Sequence, residues 1–471
     1  MNQRRADNRP AAAARDIRHG GNAARSPQSS TRSDVDGRAA PGPGRGSGLL
    51  IAFILTFAIL GDRAQIGIAT GGRGQLPLMS IAAPLAALLT MAKYGRRQSL
   101  GFVASPTFVF TVLPYLVLTA LLPVAGVMFN TYPERTLASI SAATNALSFL
   151  VLGAALSNDE EPSWRPWLLL AMTLQVLYAT GQALYTAGAP GGELFAPFHA
   201  WDLSLQDLNT FVQGRSSGLY LNPNVLGLWA AVTAILGWTV LRSRVRGIAV
   251  SLALLTLLLS QSRGASVALA AALVVGIVVS VARGQVASSR TFKSILSFGF
   301  AASLAAGAAF LIVPAGALDE RFGALLSVLT EGPGADPNLA GRIDYWTAVL
   351  SLNAAYPWGT WGPPELLLGS AIDSTWFSAF AQGSVPYAFT LGLLLLAAVW
   401  VSRGPYGRAL RMVAVAVAVA GLTQNPFGYP VIVLFWVLLG AALSSPRLGI
   451  VAAPLSGRQG AGFHEGRAAE G

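Results

Sequence analysis

The sequence predicts an all-α integral membrane protein, a bundle of about twelve transmembrane helices with a large, partly helical extracytoplasmic loop before the tenth. Three observations carry this. Of 471 residues, 53% are apolar and only 11% are Asp, Glu, Lys or Arg, against about 25% charged residues in a soluble domain. So few charges cannot give a chain of this size a water-facing surface, and mean hydropathy is +0.54. The apolar residues also form runs long enough for a bilayer, without the period-two alternation of a membrane barrel. A soluble enzyme, a fibrous chain and a disordered chain are thereby excluded.

The elements follow in order. Residues 1–47 carry nine arginines and four aspartates among Ala, Gly, Pro and Ser, with no apolar period. This is the composition of a disordered basic tail, too long and polar for a signal peptide. Spans 48–62 and 75–92 come next, and Lys93, Arg96 and Arg97 close the second. Spans 106–128 and 136–156 flank Arg135, and Asp159-Glu160-Glu161 with Arg165 leads into 166–187. The segment 188–217 precedes span 218–241. Spans 247–262 and 264–282 meet in the turn Gln261-Ser262-Arg263-Gly264. Span 295–313 enters the large loop, 314–380, after which come 381–402, 408–424 and 430–446. Residues 447–471 form a flexible tail. Each span is read as a helix, because only helices and closed barrels satisfy their backbone in lipid.

Charge placement fixes an orientation. With the N-terminus inside, 25 of the 32 basic residues fall in inside connections or tails. The seven outside are Arg63, Arg73, Arg135, Arg215, Arg263, Arg321 and Arg342. This is the positive-inside bias with both termini cytoplasmic. The formal net charge of +11 therefore reflects orientation and contact with membrane lipids, not nucleic acid. The chain has no cysteine, which excludes disulfides and thiolate chemistry. Its three histidines, His19, His199 and His464, form no metal-binding pattern, and no metal or cofactor is expected.

What remains for chemistry is a set of arginines at outer helix ends. Arg215 and Gly218 precede Asn222-Pro223-Asn224, which sets a helix breaker and two amides about one turn inside the sixth span. Arg263 sits in the shortest outer connection. An arginine fork matches phosphate oxygens, and two forks converging on one cavity make a pyrophosphate clamp. Taken singly, each arginine is better explained by snorkelling to headgroups or by pairing with an acid; taken together, Arg215 and Arg263 favour the clamp. In the large loop, Ile343, Trp346, Val349 and Leu350 share helical spacing, and eight aromatic residues lie between Tyr345 and Phe380. Such a segment folds over the mouth of the bundle rather than staying disordered. Arg342 and Asp344 are close enough in sequence to pair. Asp373 stands in an apolar stretch suited to a general base, with Glu365 as a second carboxylate.

These segments resemble the O-antigen ligase and O-antigen polymerase superfamily of bacterial envelope glycosyltransferases. The resemblance rests on Arg215, Gly218 and Asn222-Pro223-Asn224 entering a mid-chain helix, and on Ser262-Arg263-Gly264 about forty residues later. It rests also on Gly341-Arg342, Tyr345-Trp346, Pro357-Trp358-Gly359 and Gly362 in the large loop, and spans roughly residues 210–400. It implies an enzyme of the cytoplasmic (inner) membrane that takes glycan from an undecaprenyl-pyrophosphate carrier and passes it to a glycan or other hydroxyl acceptor, without a metal. Arg215 and Arg263 would hold the pyrophosphate, with Arg342, Asn222, Asn224 and Glu365 binding substrate and Asp373 as base. Lipid A-core ligases carry a His-Asn pair where this chain has Asp373-Ser374, so the resemblance points to a polymerase-like member. A transporter or flippase of lipid-linked glycans is the alternative, and it would place ionisable groups deep in several helices. A binding or scaffolding role stays open.

Overall fold

The computed structural model describes residues 45–60, 68–70, 74–76, 78–95, 99–128, 136–157, 164–190, 194, 215–220, 222–241, 243–282, 298–299, 301–309, 323, 327–328, 330–335, 337–362, 364–368, 372–401 and 406–444. Residues 1–44 of the N-terminal tail, the C-terminal tail and most of the segment 188–217 lie outside these residues.

The described chain is helical, apart from the two three-residue strands β1 (Ile68–Thr70) and β2 (Gly74–Leu76), which pair antiparallel. Helix α1 (Arg45–Leu60) precedes this hairpin, and α2 (Leu78–Tyr94) follows it. A single π-helical stretch, Phe108–Val112, leads into α3 (Leu113–Met128), then α4 (Thr136–Leu156) and α5 (Trp164–Thr186). The central helices are α6 (Pro223–Val240), α7 (Ser243–Ser260) and α8 (Arg263–Ala282). Residues 301–309 are helical. The large loop contributes α9 (Pro337–Ala355) and the short α10 (Glu365–Leu368). Three helices close the bundle: α11 (Thr375–Trp400), α12 (Gly407–Ala420) and α13 (Ile432–Ser444).

Six of the described helical stretches are long and apolar enough to cross a membrane: Phe108–Gly126, Ser139–Leu156, Trp164–Thr186, Pro223–Val240, Arg263–Ala282 and Thr375–Trp400. Four more apolar helices are shorter, namely Ser47–Leu60, Ser80–Tyr94, Val245–Ser260 and Pro430–Ser444. Every one of these ten overlaps an expected span, but several stop short of the expected boundary.

Two boundary corrections bear on function. The sixth helix begins at Pro223, not 218, because proline at the first helical position has no N–H to lose and a preset φ. Asn222 is its cap, with the side-chain oxygen accepting from Asn224 N at 2.8 Å. The Asn-Pro-Asn segment therefore starts the helix and does not break it from within. The tenth expected span begins at Thr375 rather than 381, capped by Ser374, whose hydroxyl accepts from Phe377 N. The large loop is correspondingly shorter.

Helix packing relies on small residues, as in lipid, where close backbone approach replaces a hydrophobic drive between helices. Helices α4 and α13 cross at Gly153 and Gly440. A Cβ on Gly153 would strike the backbone of Val437, and one on Gly440 the backbone of Leu150. These obstacles are main chain and cannot rotate away. The central helix α6 is enclosed almost completely, from Val225 and Leu226 through Trp229 to Leu236, between α7, α8 and α12.

Gly153→Leu and Gly440→Leu should each prise α4 from α13 and lower stability by about 3 kcal/mol or more. Thermal unfolding of the purified protein in detergent checks this. A matched substitution at Gly247, where nothing lies within 4 Å, should change the midpoint little.

Candidate anion-binding site

The site is built where α6, α7, α8 and α12 end together. Residues 215–220 run across the bundle before α6, and a buried glutamine holds them. Gln182 Oε1 accepts from Ser217 N at 3.0 Å and Gly218 N at 2.7 Å, while its Nε2 donates to Gly218 O at 3.2 Å. Gln175 Oε1 accepts from Leu219 N at 3.0 Å. Ser216 N donates to Leu259 O at 3.0 Å and its hydroxyl to Ala179 O at 2.8 Å. These bonds account for main-chain groups that an apolar surrounding would otherwise strand at a cost of several kcal/mol. Gly218 adopts φ +61°, and a Cβ there would meet Gln175 and Leu226, so this bend admits glycine alone.

Arg215 leaves this segment half-buried. Its Nε donates to Ser260 O at 3.3 Å and its Nη2 to Asn224 Oδ1 at 3.0 Å. The same Asn224 oxygen accepts from Ser262 Oγ at 3.3 Å, which in turn accepts from Gln424 Nε2 at 3.4 Å. The turn between α7 and α8 is tight enough to force Gln261 to φ +50°, a conformation that costs a non-glycine residue of order 1 kcal/mol and concentrates at functional sites. Gly264 admits Thr423 and Gln424, which would lie 2.8 Å from a Cβ there.

The result is a small pocket of about 60 Å³ lined by Arg215, Asn224, Gln261, Arg263, Gly264, Arg342, Thr423 and Gln424. Among the described residues its charged lining is cationic. Three arginines border this small space, and positive charge gathered around a cleft favours an anion there.

Arg342 reaches the pocket from α9, which packs on α11 through a core of its own: Val349, Ile372 and Ala381, with Tyr345, Leu368 and Phe377 around them. Trp346 stacks on Phe377 at 5.0 Å. The apolar spacing expected in this loop is thus a helix, but its inward face is Tyr345, Trp346 and Val349, and Ile343 and Leu350 are exposed. Arg342 pairs with Asp373 at 3.3 Å, not with the expected Asp344. Its Nε is buried with no hydrogen-bond partner among the described residues.

Of the sequence-derived residues, Arg215, Arg263, Arg342 and Asn224 line one pocket. Asn222 caps α6 and is exposed. Asp373 is not among the lining residues and is tied to Arg342, which is. Its setting is not the expected apolar one, since its side chain is 57% exposed. Glu365 opens α10, and its side chain lies outside the described residues. Gln182, Gln261, Thr423 and Gln424 are site residues that the sequence reading missed. For Thr423 and Gln424 a signal is visible in hindsight, with Thr423-Gln424-Asn425-Pro426 repeating the amide-proline chemistry of Asn222-Pro223-Asn224. No protein-family model and no curated protein matches this chain.

Gln182→Leu removes the shared acceptor of two buried N–H groups and should cost about 3 kcal/mol. Asp373→Ala breaks an exposed ion pair and should cost no more than about 0.5 kcal/mol. Parallel thermal melts check both, and equal losses would refute the assignment of Gln182 as the anchor.

Proposed function

We propose that this protein is a membrane glycosyltransferase of the O-antigen ligase and polymerase type, moving glycan from a lipid-linked pyrophosphate to an acceptor hydroxyl. The observation that carries the proposal is the convergence of Arg215, Arg263 and Arg342 on one pocket, whose lining among the described residues includes no carboxylate. Pyrophosphate is the leaving group whose charge such a pocket would meet. The membrane-spanning helices, the tight turn at Arg263 and the order of motifs along the chain support the same reading.

In this reading the ten apolar helices, α12 and the helix at 301–309 make a bundle of about twelve spans. Both termini face the cytoplasm, and the arginine pocket lies on the outer face of the inner membrane. The acceptor hydroxyl attacks the anomeric carbon and the bond to the carrier's pyrophosphate breaks with inversion. The hydroxyl proton passes to a carboxylate, for which Asp373 is the candidate, and the departing pyrophosphate takes the bonding pair. The arginines neutralise that growing charge from fixed positions, which is the efficient form of electrostatic catalysis. Arg342 ties donor and base together, because it touches both the pocket and Asp373.

Transport of a lipid-linked glycan is the weaker reading. Among the described residues, Arg411 is the one buried charged side chain. It lies in the second turn of α12, at the opposite end of that helix from Thr423 and Gln424, with its Nε donating to Val399 O at 3.1 Å. A charged path through the bundle is not visible among these residues.

Arg215→Ala and Arg263→Ala should each lower polymer formation by about 10²-fold and let undecaprenyl-linked units accumulate when the variants replace the wild-type gene. Chromatography of extracted lipid-linked glycans, with blotting for protein level, is the measurement. Unaltered glycan profiles with normal protein levels would sink the proposal. Asp373→Asn should slow turnover by about 10²-fold or more with donor binding retained; full activity would move the base elsewhere, with Glu365 next to test.

A further inference from the structure

A second and larger cavity, about 570 Å³, opens at the same end of the bundle. Its lining comes from α1, α2, α3, α4, α11 and α13. It is separated from the arginine pocket by a thin partition. Thr375 N donates to Gly421 O and Gln424 O, both at 3.0 Å, and Thr375 Oγ1 donates to Asn425 Oδ1 at 2.9 Å. Thr423 and Gln424 face the arginine pocket, whereas Thr375 and Asn425 line the large cavity.

The chemistry of the two cavities differs completely. Among the described residues, the large one has no charged side chain in its lining. One wall is aromatic: Tyr115 stacks on Tyr387 at 5.6 Å and leans on Phe427 at 5.5 Å and Trp436 at 6.1 Å. The rest is set with neutral polar groups on several helices, among them Asn145, Ser139, Ser378 and Gln382. Asn145 donates to Ser80 Oγ at 3.4 Å, but its Oδ1 is buried with no partner among the described residues.

The wall is also where α11 breaks. Gly383 and Ser384 leave helical geometry, Ser384 at φ +55° and ψ −156°, and Gln382 and Tyr387 on either side of the break both line the cavity. The carbonyls of Ala381 and Gln382 are taken up by Thr360 N and Trp361 N of the large loop, each at 2.9 Å. A broken helix inside a membrane bundle is tolerated where it lines a cavity or is buried in protein, and it costs of order 1–3 kcal/mol.

We infer that this cavity is the binding site for a neutral saccharide, the sugar portion of donor or acceptor, held across the Thr375–Asn425 partition from the pyrophosphate. An anion meets no cation among the described lining residues. A hydrocarbon tail would strip water from those neutral polar side chains that lack a partner in the protein and return no hydrogen bond, at about 1–3 kcal/mol for each group left unpaired. A sugar ring meets both halves of the lining, its C–H faces on the aromatic wall and its hydroxyls on the amides and hydroxyls. The volume is within the usual range for a small-molecule site, roughly 300–1,000 Å³. The role of the sugar as substrate rests on the transferase reading; its binding does not.

The cysteine-free chain permits a direct test with the full-length protein purified in detergent. Single substitutions Ser378→Cys and Ser139→Cys put thiols on opposite walls of the cavity, and Thr423→Cys puts one in the arginine pocket. The rate of N-ethylmaleimide labelling is then followed with three probes. These are the neutral oligosaccharides released by mild acid from the lipid fraction of cells expressing the protein, farnesol and inorganic pyrophosphate. The oligosaccharides should slow labelling at Ser378→Cys and Ser139→Cys about tenfold at about ten times their Kd, with farnesol and pyrophosphate without effect there. Use of oligosaccharides with and without the reducing-end sugar that bears the phosphate separates donor from acceptor as their source. Slowing by farnesol or pyrophosphate at the cavity positions, or no slowing by the sugars at either, would overturn the inference. Pyrophosphate protection at Thr423→Cys reports on the arginine pocket alone, so failure of one site is read separately from failure of the other.

Discussion

One carboxamide oxygen holds the arginine pocket together. Asn224 Oδ1 accepts from Arg215 and from Ser262, and Ser262 accepts from Gln424. Through this chain the segment before α6, the turn between α7 and α8, and the connection from α12 to α13 become one object. Each is a place where the helical backbone stops and leaves donors or acceptors unmatched. In an apolar surrounding those groups must pair with one another, so the need to satisfy helix ends pulls the three connections together. The arginines are carried along with them. Asn224 sits in the first turn of a helix sealed on nearly every side, so its oxygen is a fixed point.

The same constraint explains why the arginines stay close despite like charge. Arg215 is anchored by two hydrogen bonds to the scaffold, one of them to the main-chain oxygen of Ser260. These two bonds tie its position to the ends of α6 and α7. An anion entering the pocket therefore finds the field already aimed, with little reorganisation required. Arg342 differs, since it arrives on α9, a helix with a separate small core, and its visible tie is an exposed ion pair to Asp373. The pocket thus has a rigid side built from the bundle and a second side supplied by the large loop.

The sequence made the apolar helices legible because long apolar runs with arginine-rich ends have few other solutions. It also made Arg215, Arg263 and Asn224 legible as a group, since amides, serine, glycine and arginine crowding a helix end are costly unless they pair or bind. Boundaries were less legible. Asn222-Pro223-Asn224 reads from sequence as a break within a helix, whereas Pro223 begins one, and only the path of residues 215–220 decides between the two. The partner of Arg342 was out of reach for a related reason. Asp344 is two residues away and on another side of the helix, while Asp373 is brought near by α9 packing on α11, a contact made across some thirty residues. Gln182 lies in a long apolar helix with nothing local to mark it; its role appears only when the Ser217–Gly218 backbone is seen to need an acceptor.

The partition between the two cavities gives the arrangement its chemical sense. Thr375 is held at once by Gly421, Gln424 and Asn425, and next to it Ser374 donates to Gly421 O at 2.9 Å. The first turn of α11 and the end of α12 are therefore locked at the line where the cationic pocket meets the neutral one. Asp373 is the residue before that lock, and its carboxylate stands beside Arg342. A glycosyl pyrophosphate has this same division, an anionic group joined to a neutral ring through a single oxygen. A site for it needs two compartments of opposite character only a bond or two apart, with the base close to where they meet. If the compartments were built on separately mobile elements, their spacing would drift by more than the reaction tolerates, about 1 Å. Here the spacing is set by the bonds of Thr375 N to Gly421 O and Gln424 O, reinforced by the hydroxyls of Thr375 and Ser374, and under the proposed function the two faces would recognise different parts of one substrate.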